Sequence, residues 1–396
     1  MNISKTICVM TLSLGVTSLA PTLTSYASIQ LRPVVAQKQK TNCCQSEALG
    51  LDEQIWGEGG QPGDKEALLS SIDNSLRYLQ TSDAAAAYQR YPVAEFTRDR
   101  VFRSLERFRS LVVSSHSPSE LQAAVRQEFV LYQSVGKDGK GDVLFTAYYE
   151  PIHIASRIQT PEYRYPLYRL PPDFSTWSHP QPTRAQLEGK DGLLGAKSRL
   201  HGSELLWMRD RLEAFLVQIE GSARFHMTDG TDMTLEFAGK TDYPYTSVGH
   251  ELAKDGKLPL NGLTLPVMMQ YFKQHPNELN SYLPRQRGFV FFKESYGAPA
   301  TGSIGVPLTA ERSIATDKSL MPPGALALIF TSLPFIQPTG QMQYRTVSRY
   351  VLDQDTGSAI KGPGRVDYFM GTGEQAGERA GVTGGNGQLY YLLLKE

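Results

Sequence analysis

This chain has no excess of either positive or negative charge. Its 396 residues carry 40 Lys and Arg against 40 Asp and Glu, so the whole offers no electrostatic footprint for nucleic acid or an anionic lipid surface. Cysteine is scarce too. Of three, Cys8 is N-terminal and Cys43 and Cys44 are neighbours, a spacing at which a bridge is strained. No CxxC pair or Cys/His cluster exists and the seven histidines are scattered singly, so no metal site is expected. GxSxG and HExxH are absent. GTGEQAG at 371–377 misses the GxGxxG fingerprint and opens no clear βαβ unit. No cofactor is therefore expected, and no internal repeat is visible.

The N-terminus carries a moderately apolar run. Lys5 precedes ICVMTLSLGVTSLA, and Ser25-Tyr26-Ala27 offers a small-x-small site. This pattern predicts a signal peptide over residues 1–27, cut after Ala27. Thr and Ser interrupt the run and no charged stop follows, which disfavours a retained anchor helix. No cysteine stands where a lipobox would place it. The mature chain is thus expected to be exported, without a transmembrane helix. Residues 28–62 are polar, contain GEGGQPG and read as a tether.

Residues 64 to about 134 read as helical. Leu68, Leu69, Ile72, Leu76 and Leu79 share one face, and Val101, Leu105, Phe108 and Val112 repeat the spacing. Ser117-Pro118-Ser119-Glu120 is a helix start, which Leu121, Val125, Phe129 and Tyr132 continue. After KDGKG at 137–141 the period changes to that of strands. VLFTAYYEP is one. FLVQIEGSARFHM and TDMTLEF flank an Asp229-Gly230 turn, a hairpin signal. One more helix is expected over Leu263 to Lys273. FVFFKES, ALALIFTS, YRTVSRYVLDQD, RVDYFMG and QLYYLLLK are further strands.

The chemistry left to this chain is that of carboxylates. Asp355 and Asp367 lie twelve positions apart in DTGSAIKGPGRVDYFMGTG, amid glycines that permit tight turns and close approach of a polymer to the backbone. Val366, Tyr368 and Phe369 flank Asp367. Apolar surroundings disfavour the charged form and raise a carboxyl pKa, as a general acid requires. The competing structural reading is that these aspartates cap turns.

An ordered set of segments decides between them. GSIGVPLTAERSIATDKSLMPPGA, DTGSAIKGPGRVDYFMGTG and EQAGERAG resemble the three-aspartate domain of the membrane-bound lytic murein transglycosylase A family. FTAYYEP, YRYPLYRLP, FLVQIEGSARF, YTSVGHEL and RGFVFFKE resemble its other signature stretches in the same order. The resemblance covers roughly residues 140 to 396.

It implies a mainly β fold with N-terminal helices (α+β): a double-psi β-barrel domain into which a smaller β domain is inserted, with a glycan groove between them. Residues 63–151 would supply the N-terminal helical part of the barrel domain, 152–294 the insert and 295–396 the C-terminal barrel. The implied reaction cleaves the β-1,4 bond between N-acetylmuramic acid and N-acetylglucosamine and leaves a 1,6-anhydromuramic end. The sequence leaves exo and endo action open. Asp367 matches the catalytic aspartate, with Asp355 and Asp317 the other two of the trio. The implied partner is a peptidoglycan glycan strand, with wall-remodelling proteins as further partners, and the implied location periplasmic or outer-membrane associated.

Tyr148, Tyr149 and Glu150 at the domain junction are expected to line the groove, since tyrosines stack on sugars; core packing is the alternative. Gln218, Gly221 and Ser222 are expected on the insert's side. Glu220 is not cast as a second acid. Lys361 is placed to hold a carboxylate or a sugar, or is simply solvated. Two rival functions stand: a non-catalytic glycan-binding barrel, and a hydrolase of another exported polysaccharide, which needs a second carboxylate near the first.

Overall fold

The architecture is that of a computed structural model describing residues 30–34, 47–58, 60 and 62–396. The expected leader, its cleavage site and all three cysteines lie outside the described residues, as does most of the stretch before Glu47. The rest of the expected tether is packed. Leu31–Pro33 is a strand, β1. Asp52 and Ile55 are buried.

Arg312 fixes this segment. Its guanidinium is fully buried and donates to Asp52 Oδ2 at 2.6 Å and to Asp64 Oδ1 at 2.7 Å. Arg349 pairs with Asp52 and Glu58. A polar stretch reads as loose only when its charges are assumed to face water. Here two buried arginines need them.

Four helices follow. α1 (Lys65–Leu79) buries Leu68, Leu69, Ile72 and Leu79. α2 (Ser82–Gln89) and α3 (Arg98–Ser114) start at Thr81 and Thr97, whose hydroxyls accept from Ala84 and Arg100 amides. α4 (Pro118–Glu128) starts at Ser117, which accepts from the Glu120 amide. It ends at Glu128, earlier than its apolar spacing predicts. Phe129–Ser134 is strand β2, because Val130 to Leu131 pair with Leu393 and Leu392 far along the chain. β3 spans Val143–Glu150 as expected.

The middle of the chain makes a separate six-stranded sheet. Its members are β4 (Ile152–Ser156), β5 (Tyr165–Tyr168), β6 (Glu204–Met208), β7 (Ser222–Met227), β8 (Asp232–Lys240) and β9 (Val290–Glu294), in the order β5-β6-β4-β7-β8-β9. The β7–β8 hairpin turns at Asp229-Gly230, with Gly230 at φ 83°. Between strands lie α5 (Arg184–Glu188), α6 (Arg211–Glu220), α7 (Val248–Lys254), α8 (Leu265–Gln274) and α9 (Leu279–Tyr282). α6 corrects the reading of FLVQIE as a strand. Asp210 accepts from the Glu213 amide at the helix start, and Gly221 closes it at φ 84°. Both end signals are those of a helix.

The last third returns to the first sheet as β10 (Ser313–Ala315), β11 (Leu326–Ile336), β12 (Met342–Asp355), β13 (Arg365–Thr372) and β14 (Gly384–Leu394), with α10 (Glu374–Val382) before β14. β14 pairs with both β11 and β3, so β14-β11-β12-β10-β13-β3 closes into a six-stranded barrel; β2 and β1 extend from β14. One hydrophobic core joins the barrel to the four N-terminal helices, with Phe108, Tyr350, Tyr368 and Tyr391 inside it.

Candidate active site

The barrel register sets two carboxyls side by side. Short β10 runs between β12 and β13, and its Ala315 is paired with Asp355 on one side and Asp367 on the other. Asp367 in turn faces Thr146 on β3. The Thr146 hydroxyl donates to Asp367 Oδ1 at 2.6 Å. Alternation along β3 returns to the same face at Tyr148. Its hydroxyl donates to Asp355 Oδ2 at 2.8 Å, and its ring packs 5.2 Å from that of Phe369.

The two aspartates differ in what holds them. Asp355 accepts from Tyr148 and, through Oδ1, from the Ser303 and Thr356 amides at 2.8 Å each. From behind, Lys318 donates to the Asp355 carbonyl oxygen and to Asp353. Asp367 has, among the described residues, the Thr146 hydroxyl as its one hydrogen-bond donor. Burial pushes the Asp367 carboxyl above the usual carboxylate range. Thr146 and Arg365 pull against this, and Asp355 adds to it. Burial raises Asp355 too, opposed by its three donors and by Lys318. Burial, then the Asp355 charge, keeps the Tyr148 hydroxyl protonated as a donor.

The other expected residues part into two groups. Tyr149 is half-buried, its ring against Gly377 of α10 and its amide donating to Glu220 Oε2 at 3.3 Å. Gly221 and Ser222 are half-buried just beyond α6. These three stay near the junction of barrel and second sheet. Glu150 and Gln218 do not line a groove. Glu150 is 2% exposed, paired with Arg224 at 2.7 Å and accepting from Thr372, so it fastens β3, β7 and β13 together. Gln218 is buried within the second unit, accepting from Arg184 and the Val290 amide.

Asp317 stands apart from the pair. It is buried and accepts from the Ser319 amide and hydroxyl and the Gly362 amide. Burial works to raise it, but those bonds and nearby Lys361 hold it below the ordinary value. It fastens the loop that carries the exposed Lys361.

Sequence reasoning missed Thr146, which no local pattern marks, and undervalued Glu220. Burial pushes the Glu220 carboxyl up to about 8, with the Tyr149 amide opposing and the Asp367 charge adding. Tyr245, ahead of α7, feels the charges of Glu220, Asp367 and Arg365. Among the described residues no group of His, Cys, Asp and Glu is arranged to hold a metal ion. A concavity of about 680 Å³ lined by His250, Lys254, Leu258 and Leu260 belongs to the second unit and offers no carboxylate.

A barrel in which burial raises the proton affinity of one carboxyl, beside a second that accepts from three donors, has the arrangement that general-acid chemistry calls for. Comparison with known proteins specifies it further. Residues 144–293 match the MltA specific insert domain, a match that begins inside β3, and residues 312–393 match the 3D domain. The membrane-bound lytic murein transglycosylase A of Escherichia coli K12 is 31% identical over 66% of this chain and 68% of its own. The crystal structure of a membrane-bound lytic murein transglycosylase from Agrobacterium tumefaciens superposes with a TM-score of 0.67 at 26% identity, covering 84% of this chain and 93% of that one. The Escherichia coli protein with bound chitohexaose shares the fold, with a TM-score of 0.64 at 24% identity over 83% and 90% of the two chains. The chain belongs to the MltA family of lytic murein transglycosylases.

Proposed function

We propose that this protein cleaves peptidoglycan between N-acetylmuramic acid and N-acetylglucosamine without water, with Asp367 as acid and then base. The observation that carries the reading is the inequality of the carboxyls around the barrel mouth. Asp355 accepts from three donors, which reach both of its oxygens. Glu220, pushed up to about 8, is protonated near neutrality and unsuited to act as base or nucleophile. Asp367 has an oxygen to spare and a raised affinity for its proton.

One such group suffices when the substrate brings its own nucleophile. Asp367 gives its proton to the glycosidic oxygen as the bond from C1 to that oxygen breaks. The muramic C6 hydroxyl oxygen bonds to C1, and its proton passes to the Asp367 carboxylate, which restores the acid. A hydrolase would need a second carboxylate to place or activate water. Export belongs to the same proposal, supported by Lys5, the apolar run after it and the small-residue site at Ala27. Among the described residues no helix is long and apolar enough to cross a membrane.

Digestion of purified peptidoglycan in ¹⁸O-labelled water tests the reaction. The expected products are 1,6-anhydromuropeptides with no label at the new end. Labelled reducing ends would mean that water is the nucleophile, and no cleavage at all would favour a binding barrel.

A further inference from the structure

Glu220 is a carboxyl at the junction with no part in the reaction above and, unlike Glu150, no arginine paired to it. It is the last residue of α6, on the second unit, and it reaches across to the barrel: Oε2 accepts from the Tyr149 amide at 3.3 Å. Tyr149 lies on β3, the strand whose Thr146 and Tyr148 hold Asp367 and Asp355. The side chain is only half-buried, so it is neither in a core nor free in solvent. The ionisable groups that interact with it are Asp367 on β13, Tyr148 and Tyr149 on β3 and Tyr245 before α7; Arg365 on β13 acts on that same Tyr245, and Glu213 of α6, paired with His153 of β4, acts on that same Tyr149. None of these gives Glu220 a cation at salt-bridge distance.

We propose that Glu220 is a substrate-binding residue that donates a hydrogen bond from Oε1 to an acceptor oxygen of the sugar beside the bond Asp367 protonates, selecting an N-acetylated sugar. The Tyr149 amide occupies Oε2 and so assigns the proton to the other oxygen. A carboxyl that is neutral near pH 7 is a donor, and the strongest neutral acceptor on an amino sugar is its acetamido carbonyl oxygen. A de-N-acetylated sugar offers no such oxygen. The proposal rests on Asp367 being the acid, and it adds a second proton that is held rather than transferred. As pH rises through about 8 the donor is lost and a negative charge appears beside Asp367.

The test is steady-state cleavage of an N-acetylated glycan strand and of its partly de-N-acetylated counterpart, with KM and kcat followed from about pH 6 to about pH 9. Glu220→Ala is expected to raise KM about tenfold at the acid end, the usual cost of one lost hydrogen bond, while Glu220→Gln recovers most of that loss. In the native enzyme KM rises on the alkaline side. In Glu220→Gln, which donates but cannot ionise, that rise is absent. Both variants discriminate differently: Gln keeps the preference for the N-acetylated strand and Ala loses it. Native-like melting of each variant excludes misfolding. An unchanged KM profile in Glu220→Gln would mean a structural role and overturn the proposal. A loss of more than about 10²-fold in kcat for Glu220→Gln would make Glu220 an acid–base group instead. If the native protein makes no anhydro product, it is the reaction assignment that fails, and calorimetric binding of the two strands to the native protein and Glu220→Ala then decides: equal preference in both overturns the role of Glu220.

Discussion

Replacing Asp367 with Asn separates proton transfer from everything else this residue does. The carboxamide fills the same volume, and its oxygen still accepts from the Thr146 hydroxyl, 2.6 Å away in the native site. The backbone pairing of Asp367 with Ala315 and Thr146 does not depend on the side chain. What is lost is the titratable proton. A positioned acid–base group contributes about 10²–10⁴-fold, or ~3 to ~5 kcal/mol of barrier at about 1.4 kcal/mol per decade. We expect kcat to fall by at least that factor while KM changes little.

The same substitution carries a second, opposite signature. The folded state binds the Asp367 proton more tightly than the unfolded chain, because burial raises its pKa. Above that pKa the folded state bears the cost of a desolvated charge, and Asn removes it. The variant should therefore melt higher than the native protein at neutral pH. The gain should shrink on acidification and vanish below about pH 4, where both states of the native protein hold the proton. Anhydromuropeptide release by mass spectrometry and thermal melts across pH read the two effects. A kcat within tenfold of native, or an Asn variant less stable at neutral pH, would refute the assignment.

Tyr148→Phe keeps the ring against Phe369 but removes the donor to Asp355. The Asp355 carboxyl should titrate higher still, and kcat should fall about tenfold, the value of one hydrogen bond to a charged acceptor; carboxyl chemical shifts against pH check the first and kinetics the second. Arg224→Ala leaves Glu150 buried without its cation. Urea unfolding should report a loss of about 2–4 kcal/mol, part of which a second change, Glu150→Gln, restores by removing the orphaned charge.

Part of the fold was legible because it is local. The Asp229-Gly230 hairpin announces itself through its turn, whereas Asp355 and Asp367, which local sequence could equally make turn caps, were singled out by the family resemblance of the segments that carry them. What escaped was set by partners distant in sequence. Thr146 meets Asp367 across 221 positions, and nothing in FTAYYEP singles out its hydroxyl. Phe129 and Tyr132 fit a helix face until β14 supplies strand partners. Residues 211–220 alternate well enough for a strand, but Asp210 and Gly221 end them as a helix. Glu150 and Gln218 sit where lining residues were expected, yet Glu150 pairs with half-buried Arg224 and Gln218 with buried Arg184. The six-stranded ring followed from the family resemblance, not from any periodicity.

The order of strands in that ring sets a timetable for the enzyme. Of its six members only β3 lies before residue 313, whereas the second sheet is complete by Glu294. A chain emerging from the ribosome therefore carries every strand of the second sheet before it can enclose Asp367. β3 waits for β13 on one edge and β14 on the other, and β14 is the last strand of the ring in chain order. A nascent or prematurely ended chain has Asp367 without a closed wall, and Asp52 and Arg312, 260 positions apart, cannot meet until late. The wall around that carboxyl is thus completed by the strand that is made last in the ring.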